Sequence, residues 1–565
     1  MRRALIIGLD GATFDLIDPL MKSGEMPALA ALREHAAWGP LTSTIPPTTP
    51  PAWTTCTTGL NPGRHGIYDF TVSPLKNPDR PLVSSQDVQG LRLWDAVEMN
   101  EGRSIVVNVP ITYPPAPLKG CMVSGMMSPG FTSPFTSPLS LRDRLKAVCG
   151  NYIINIDIPQ YDTTTDAEIA RFIHDLRESL ERRHEAVRHL MRTEEWTFFM
   201  VVFVTIDRIL HLFAKYLFPV NPLYDSPRAK RVRPQLIDLF KRVDLIAGEL
   251  IESLKPDDNV FVLSDHGFGV TEGFFNANTW LLEQNLLAVH SRPYIKRRLF
   301  DWLQTIGDAD MIRKLLPSSI QTGIRRAIRS RRSTLFSARL DLASVVDWSK
   351  TKVFFGSIPS QGFYINEKTD ENPAGTVSSA EVEDLKNTLK NLLSNLKHPQ
   401  TGIPLTDKVW FREEIFHGPE TKYAPHVLFC MRDYAVLGRQ HLGAGSFFTD
   451  TRHHPIGFHR SDGIIMVSGK DIAPGYIQAN MEDVMPTLLQ SMALPIPDNL
   501  DGKVLQNIFK PDYFAGHPPK FVSYDVQKSL QESVDKNVST SFAGEPGEDE
   551  RRALENRLKN LGYLE

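Results

Sequence analysis

The sequence predicts an α/β fold in which a mostly parallel central sheet is flanked by helices on both faces. Short β-branched runs bounded by polar, Gly or Pro residues recur along the chain, as buried parallel strands do. Amphipathic helical segments alternate with these runs, which is the order expected of repeated βα units. The chain has 565 residues, enough for one large α/β protein with insertions or for roughly three or four domains.

The predicted strands of the core are Ala4–Leu9, Ser104–Val109, Phe198–Thr205, Asn259–Ser264 and Gly463–Val467. Two long helices are predicted at Asp166–Met191 and Gln235–Leu254, where apolar residues recur at helical spacing among many charges. A mixed α+β region is predicted downstream of residue 346, with strands Val353–Phe355 and Gly362–Ile365 and helix Ser379–Leu396.

The strand pattern is interrupted in the middle of the chain, and this divides the sequence into regions. We expect an α/β core over 1–273, an inserted cap over 274–439 and the second part of the core over 440–533. The cap should begin with a helical, basic part at about 290–345 and continue as the mixed α+β region. Residues 534–565 are polar at first and predict a flexible linker followed by a short terminal helix.

The overall charge does not indicate a polyanionic partner. There are 63 Lys and Arg against 66 Asp and Glu, so a nucleic-acid polymer is not expected to bind. One local exception is the basic insertion 296–332, which carries ten Lys or Arg against three Asp. We interpret it as a solvated helix face, with a weak contact to anionic membrane lipids as the alternative.

Cysteine usage and hydropathy point to a soluble, cytoplasmic protein. The four cysteines, Cys56, Cys121, Cys149 and Cys430, form no closely spaced pair of the kind that redox and zinc-ribbon motifs need. The longest mostly apolar stretch, Trp196–Ile206, is too short to span a membrane, and the N-terminal apolar run is too short for a signal peptide.

Acids and imidazoles lie next to several predicted strands, where open α/β sheets build their sites. They are Asp10, Asp207, His211, Asp265, His266 and His459. The i, i+4 spacing of Asp207 and His211 places both on one helical face. Three Asp and three His, with a threonine oxygen, suffice to hold two divalent ions about 4 Å apart. Taken alone, Asp10 also fits a helix cap, and the Asp207–His211 spacing also fits chance.

A hydroxyl-rich stretch from Pro46 to Gly59 supplies candidate threonine oxygens. Its prolines keep the first part out of a helix interior, so Thr48 or Thr49 can stand at a helix N-terminus. Amide groups and the helix dipole favour an anion there. The alternative is an N-cap and turn without a ligand.

As a set, these residues resemble the alkaline phosphatase superfamily, and within it the type I phosphodiesterase/nucleotide pyrophosphatase branch. The residues that carry the resemblance are Asp10, Thr49 ahead of Thr58-Gly59 and His65-Gly66-Ile67, Asp207-x-x-x-His211, Ser264-Asp265-His266-Gly267 and His459. They cover roughly residues 1–290 and 440–505 and occur in the order of the family. The resemblance implies an alkaline-phosphatase-like α/β core with an inserted cap.

The resemblance also implies a role for each residue. Asp207, His211 and His459 would hold one metal ion, and Asp10, Asp265 and His266 the other. Thr49 would be both a metal ligand and the nucleophile, because it precedes Thr58 by the nine residues that the family shows. The implied ions are zinc, with manganese as the alternative. Arg208 and Arg460 are candidates for holding phosphoryl oxygens, with structural salt bridges as the alternative.

The implied function is a two-metal phosphodiesterase or nucleotide pyrophosphatase that acts on a small-molecule phosphate ester through a phospho-threonine intermediate. The same site would serve a phosphomonoesterase, a phosphonate hydrolase or a phosphoglycerate-mutase-like transferase. Ala52 stands where the pyrophosphatase branch has an Asn that helps bind phosphate, so the substrate stays open. A sulfatase would need Cys or Ser in place of Thr49. The alternative of another class is a non-catalytic metal-binding scaffold.

Overall fold

The computed structural model describes residues 2–156, 161, 163, 165–291, 294, 345–443, 445–452 and 456–524, together with 552, 554 and 555. The basic insertion 296–332 and the polar linker expected after residue 534 lie outside the described residues, as does most of the expected terminal helix.

The strands, numbered in chain order, are β1 (Ala4–Leu9), β2 (Ala37–Thr42), β3 (Ser104–Val107), β4 (Gly120–Val123), β5 (Thr136–Ser137), β6 (Phe198–Phe203), β7 (Asn259–Leu263), β8 (Gly267–Val270), β9 (Gly273–Asn276), β10 (Val353–Phe355), β11 (Gly362–Ile365), β12 (Thr406–Phe411), β13 (Val427–Met431), β14 (Val436–Arg439), β15 (Phe448–Asp450), β16 (Gly457–Arg460), β17 (Asp462–Ser468), β18 (Gly475–Tyr476), β19 (Ala479–Asn480), β20 (Ile496–Pro497) and β21 (Phe521–Val522).

The α-helices are α1 (Phe14–Lys22), α2 (Pro27–Glu34), α3 (Thr49–Thr58), α4 (Pro62–His65), α5 (Leu93–Met99), α6 (Leu141–Cys149), α7 (Asp166–Thr193), α8 (Thr205–Leu217), α9 (Pro227–Glu252), α10 (Ala277–Glu283), α11 (Ser379–Ser394), α12 (Arg412–Ile415), α13 (Val484–Ser491) and α14 (Pro511–Gly516). Among the described residues, none of these helices combines the length and apolar character needed to cross a bilayer.

A ten-stranded sheet forms the centre of the molecule, in the order β18-β2-β17-β7-β1-β6-β3-β4-β5, with β19 also paired to β2. Its five central strands, β7-β1-β6-β3-β4, are parallel. Strand β17 runs antiparallel to both of its neighbours, and β5 runs antiparallel to β4. The sheet as a whole is therefore mixed, and the predicted parallel character describes its centre.

Strand β1 lies in the middle of the sheet and is buried on both faces. Leu5, Ile7 and Leu9 pack into one apolar cluster, with residues of α1, α2 and α6 to α9. Ala4 and Ile6 pack into a second cluster on the opposite face, with residues of α3, α5, α13 and α14. This alternation follows from the two-residue period of a strand. It places α3 and α8 on opposite faces of one sheet, so their N-termini can meet only at its carboxyl edge.

Several elements differ from the sequence-based expectation by one or two residues at an end, and helix α9 differs by more. Helix α9 begins at Pro227 rather than at residue 235, because Ser226 caps it by accepting from the Ala229 amide and Pro234 is accommodated inside it. Strand β6 ends at residue 203, and α8 begins at Thr205. The apolar run crosses this junction because both elements are buried, so hydrophobicity does not mark the boundary.

A third apolar cluster is built by residues between 275 and 448, outside the central sheet. It contains the antiparallel sheet β10-β11-β13-β12. Strand β9 pairs with β14 and with β15, so the expected boundary near residue 440 falls between two strands of one small sheet. The β8–β16 pair connects this region to the core and places His459 opposite Phe268.

Strand β16 approaches helix α8 at a glycine. A Cβ atom on Gly457 would lie 1.9 Å from the Leu210 carbonyl oxygen and 2.8 Å from the Phe268 ring. Only a residue without a side chain allows the strand to lie this close to the helix. The contact fixes the position of His459, two residues further along the strand.

We expect Gly457→Ala to lower the free energy of unfolding by about 1–3 kcal/mol, because the new methyl group meets backbone that cannot move aside. Gly130→Ala is the matched control, since a Cβ there would contact nothing within 4 Å. It should change the free energy of unfolding by less than about 1 kcal/mol. Urea unfolding measures both, and equal effects of the two substitutions would contradict the tight packing of β16 on α8.

Candidate metal centre

Asp10 stands at the carboxyl end of β1, where the chain turns away from the sheet. Its carbonyl oxygen accepts a hydrogen bond from the Asp207 amide at 3.1 Å, which ties the ends of β1 and β6 together. Gly11 follows with φ +71°, and a Cβ there would lie 3.2 Å from Asp207 Cα. A glycine therefore permits both the left-handed turn and the close approach of the two acids.

Thr49 is the first residue of α3 and is fully buried. Its Oγ1 lies 3.3 Å from His266 Nε2. Thr48, the other candidate, is the extended N-cap residue of α3, and its hydroxyl has no hydrogen-bond partner among the described residues. The helix thus brings Thr49, not Thr48, into contact with one of the predicted imidazoles.

Asp207, His211 and His459 form one group of potential ligands. His211 Nε2 lies 3.3 Å from Asp207 Oδ1, as the i, i+4 spacing on α8 predicts. His459 Nε2, from β16, lies 3.6 Å from the same oxygen and 3.3 Å from His211 Nε2. Three ligand atoms therefore surround one point.

Asp10 and His266 form a second group, in which Asp207 takes part again. His266 Nε2 lies 3.9 Å from Asp10 Oδ1 and 3.2 Å from Asp265 Oδ2. The rings of His266 and His459 stack with their centroids 3.6 Å apart, so the two groups adjoin. All seven predicted residues thus come together at one place.

Backbone carbonyl groups fix the tautomers of two imidazoles. His459 Nδ1 lies 2.9 Å from the Pro47 carbonyl oxygen, and His266 Nδ1 lies 3.1 Å from the Gly267 carbonyl oxygen. A carbonyl oxygen only accepts, so each Nδ1 carries the proton and donates it. Each Nε2 then presents a lone pair toward the carboxylates. Backbone carbonyl groups orient metal-binding histidines in the same way, by accepting from the other ring nitrogen.

Burial and mutual repulsion perturb the carboxyl groups. Burial, and then the charge of Asp207, raises the pKa of Asp10 to about 8. Burial and the charge of Asp10 raise the pKa of Asp265 well above its usual range. Burial also opposes ionisation of Asp207, but His211 and Arg208 hold its pKa well below the ordinary value. Three acids this close can all be ionised at neutral pH only if positive charge lies between them.

The histidines are perturbed in the opposite direction. Burial lowers the pKa of His459 to about 4. Burial and the neighbouring His459 hold the pKa of His266 well below its ordinary value. Neutral imidazole is the form that binds metal ions, so the environment favours the ligand state of both side chains.

The residues at this centre fit divalent cations. Both oxygens of Asp10, Asp207 Oδ1 and Asp265 Oδ2 are buried and have no hydrogen-bond donor among the described residues. Unsatisfied buried carboxylate oxygens that face imidazole lone pairs are the donor set that cations such as zinc accept. A third group, His174, Asp175 and Glu178, lies on the surface and shows none of this burial.

The two predicted arginines lie in different surroundings. Arg208 is buried at the centre, pairs with Asp207, and donates from Nε to Asn155 Oδ1 at 3.1 Å. Arg460 points away from the imidazoles and donates to backbone carbonyl groups, including that of Tyr434 at 3.0 Å. A phosphate-binding role stays a prediction for both.

Sequence reasoning missed the residues that orient the ligands. The Pro47 carbonyl, Asn155 and the ring of Phe268, which packs edge-on against His211 with the centroids 4.9 Å apart, all act through other residues. No local motif marks them. Two further histidines near His459 in the sequence, His453 and His454, lie outside the described residues.

Comparisons with known proteins give a family match and a similarity of fold. The family model described as type I phosphodiesterase / nucleotide pyrophosphatase matches residues 4–327. No curated protein matches the chain in sequence. Phosphonoacetate hydrolase from Sinorhizobium meliloti 1021, solved with phosphonoformate, is similar in fold, with a TM-score of 0.51, 13% identity, and coverage of 87% of this chain and 95% of that chain.

A second solved structure is more distant. Murine ectonucleotide pyrophosphatase / phosphodiesterase 5, an inactive variant in complex with AMP, has a TM-score of 0.44 at 13% identity, covering 90% of this chain and 100% of that chain.

The protonation of Asp10 predicts how the metal-free protein responds to pH. Between its ordinary pKa of 3.8 and about pH 8, the folded chain retains a proton on Asp10 that the unfolded chain has lost, so this group's contribution to the free energy of unfolding should fall as the pH rises. Urea unfolding of chelator-treated protein measures this slope. Asp10→Asn should make the slope smaller, although Asp265 still contributes to it, whereas Asp257→Asn, at an exposed ion pair, should leave the slope unchanged. The same slope in both variants would contradict the assignment.

Proposed function

Because the chain belongs to the type I phosphodiesterase / nucleotide pyrophosphatase family, we propose that it hydrolyses small-molecule phosphodiesters or pyrophosphates with Thr49 as the nucleophile. One observation carries the proposal. The Thr49 hydroxyl lies against His266, within a largely buried group of three carboxylates and three imidazoles whose potential ligand atoms converge. A group of this kind can hold divalent cations, and the positive charge of such cations offsets the negative charge that develops during phosphate ester hydrolysis.

Two divalent cations, zinc with manganese as the alternative, fit this centre. Asp207, His211 and His459 would hold one, and Asp10, Asp265, His266 and the Thr49 oxygen would hold the other. Asp207 also lies within reach of Asp10 and His266, so its carboxylate would stand between the two sites. When bound, such ions lower the pKa of a coordinated hydroxyl and offset charge on phosphoryl oxygens.

The chain itself positions the nucleophile. Thr49 begins α3, and the unpaired amide groups and dipole of a helix N-terminus favour an anionic phosphoryl group beside it. Thr49 is buried and therefore shielded from bulk water, so water competes little with its oxygen as the attacking group. The guanidinium of Arg208, beside Asp207, adds fixed positive charge.

The proposed reaction has two steps. Thr49 Oγ1 forms a bond to phosphorus as the bond to the leaving oxygen breaks; the hydroxyl proton is lost, and the departing alcohol or phosphate takes one up. Water then attacks the phospho-threonine, which releases the phosphoryl product and restores the hydroxyl. Two in-line displacements give retention of configuration at phosphorus.

We expect Thr49→Ala to lower kcat for bis(4-nitrophenyl) phosphate by about 10³-fold or more, because it removes the attacking oxygen. Thr48→Ala is the matched control. Its hydroxyl makes no capping hydrogen bond, so kcat should stay within about tenfold of the wild type. The metal content of each variant is measured in parallel. Equal losses in the two variants at equal metal content would remove Thr49 from the reaction.

The substrate class is tested by comparing kcat/KM for bis(4-nitrophenyl) phosphate, 4-nitrophenyl phosphate and phosphonoacetate. The proposal expects the diester to be preferred by at least about tenfold. A monoester or phosphonate preference would replace the diesterase with a phosphomonoesterase or phosphonate hydrolase. If the metal-loaded wild type is no more active than Thr49→Ala on any of the three substrates, the protein is a non-catalytic metal-binding scaffold.

A further inference from the structure

Two buried polar groups beside the metal centre have no conventional hydrogen-bond partner. One is the indole N–H of Trp53, whose side chain is fully buried. The other is the carboxylate of Asp10, both of whose oxygens lack a donor among the described residues. A buried donor without an acceptor costs stability, and so does a buried acceptor without a donor. Two such groups in one neighbourhood call for a common explanation.

The indole ring lies across β1 just before Asp10. A Cβ atom on Gly8 would lie 2.5 Å from Trp53 Cη2 and 3.3 Å from Cζ2, so the ring occupies the space that a side chain would fill. Gly8 precedes Asp10 by two residues, so by the two-residue period of a strand a side chain at position 8 would lie on the same face as that of Asp10. The glycine thus lets the aromatic ring reach the end of the strand where the Asp10 carboxylate stands.

Helix α3 aims both Thr49 and Trp53 at the centre. The two residues are separated by one helical turn and share a face. The first contacts His266, and the second contacts β1 beside Asp10. Burial and the Asp207 charge dominate the pKa of Asp10, but the Trp53 indole acts in the opposite direction and lowers it, as a donor near a carboxylate does.

We propose that Trp53 is a positioning residue: once the Asp10 carboxylate binds a metal ion, the partnerless indole N–H of Trp53 donates to it and orients it as a ligand. The inference rests on the proposed metal centre and adds to it a residue that touches neither metal nor substrate. It also couples the nucleophile helix to the ligand on β1, so that the same helix sets the position of the attacking oxygen and of one cation.

Trp53→Phe tests the inference because it keeps an aromatic ring and removes the N–H group. Trp94→Phe is the matched control: Trp94 belongs to the same apolar cluster and also has a buried indole N–H without a partner. Zinc affinity is measured by competition with a chromogenic chelator, and thermal unfolding is followed on the metal-free proteins. We expect Trp53→Phe to weaken the affinity for one of two zinc ions by about tenfold to a hundredfold, and Trp94→Phe to leave it unchanged.

A second measurement does not depend on the variants being stable. The wild type is labelled with 5-fluorotryptophan, and the ¹⁹F resonances are assigned from the two Phe variants or, should either fail to fold, from Trp53→Tyr and Trp94→Tyr. Zinc should shift the Trp53 resonance and leave that of Trp94 in place. An unshifted Trp53 resonance, or wild-type zinc affinity in Trp53→Phe, would overturn the inference.

These outcomes are distinct from failure of the proposed function. If the wild type binds no zinc or manganese, the metal centre itself is refuted. If the wild type binds two ions and Trp53→Phe binds them equally well, the metal centre stands and the role of Trp53 is refuted. A loss of affinity matched by Trp94→Phe would indicate a general packing effect and would also refute that role.

Discussion

The structure depends on the burial of three carboxylates at one edge of the central sheet. Asp10, Asp207 and Asp265 are fully buried and close enough for the charge of one to oppose the ionisation of another. Uncompensated charges of one sign are strongly unfavourable at such sites. Arg208 neutralises only part of this charge, and the proposed divalent cations would neutralise the rest.

Several backbone features bring these acids together. The parallel strands β6, β1 and β7 end at the same edge, and the turn at Gly11 lets two acids approach. Gly457 lets β16 lie against α8, which carries His459 to Asp207. Each of these two glycines lacks a side chain at a point where backbone segments approach closely, and so permits the contact that brings the ligands together.

Chemistry and local order could be predicted from the sequence. The strand Ala4–Leu9 has the predicted bounds, because a buried parallel strand is an unbroken apolar run that ends at a polar residue. The family resemblance implies Thr49 as the nucleophile, and Thr49 is the threonine whose hydroxyl lies 3.3 Å from His266 Nε2. The sequence predicts a start for helix α9 that is eight residues too late, because a proline inside a long helix is indistinguishable in sequence from one that precedes it.

The sequence alone determined the set of candidate ligands and their order along the chain, since residue types limit what chemistry is available. The tertiary structure alone decided that Asp207 lies within reach of both ligand groups, that Arg460 turns toward backbone carbonyl groups, and that the Pro47 carbonyl fixes the tautomer of His459 from 412 residues away. Contacts of that separation leave no periodic or local signal. They arise only when strands and helices pack and place distant atoms within a few ångströms.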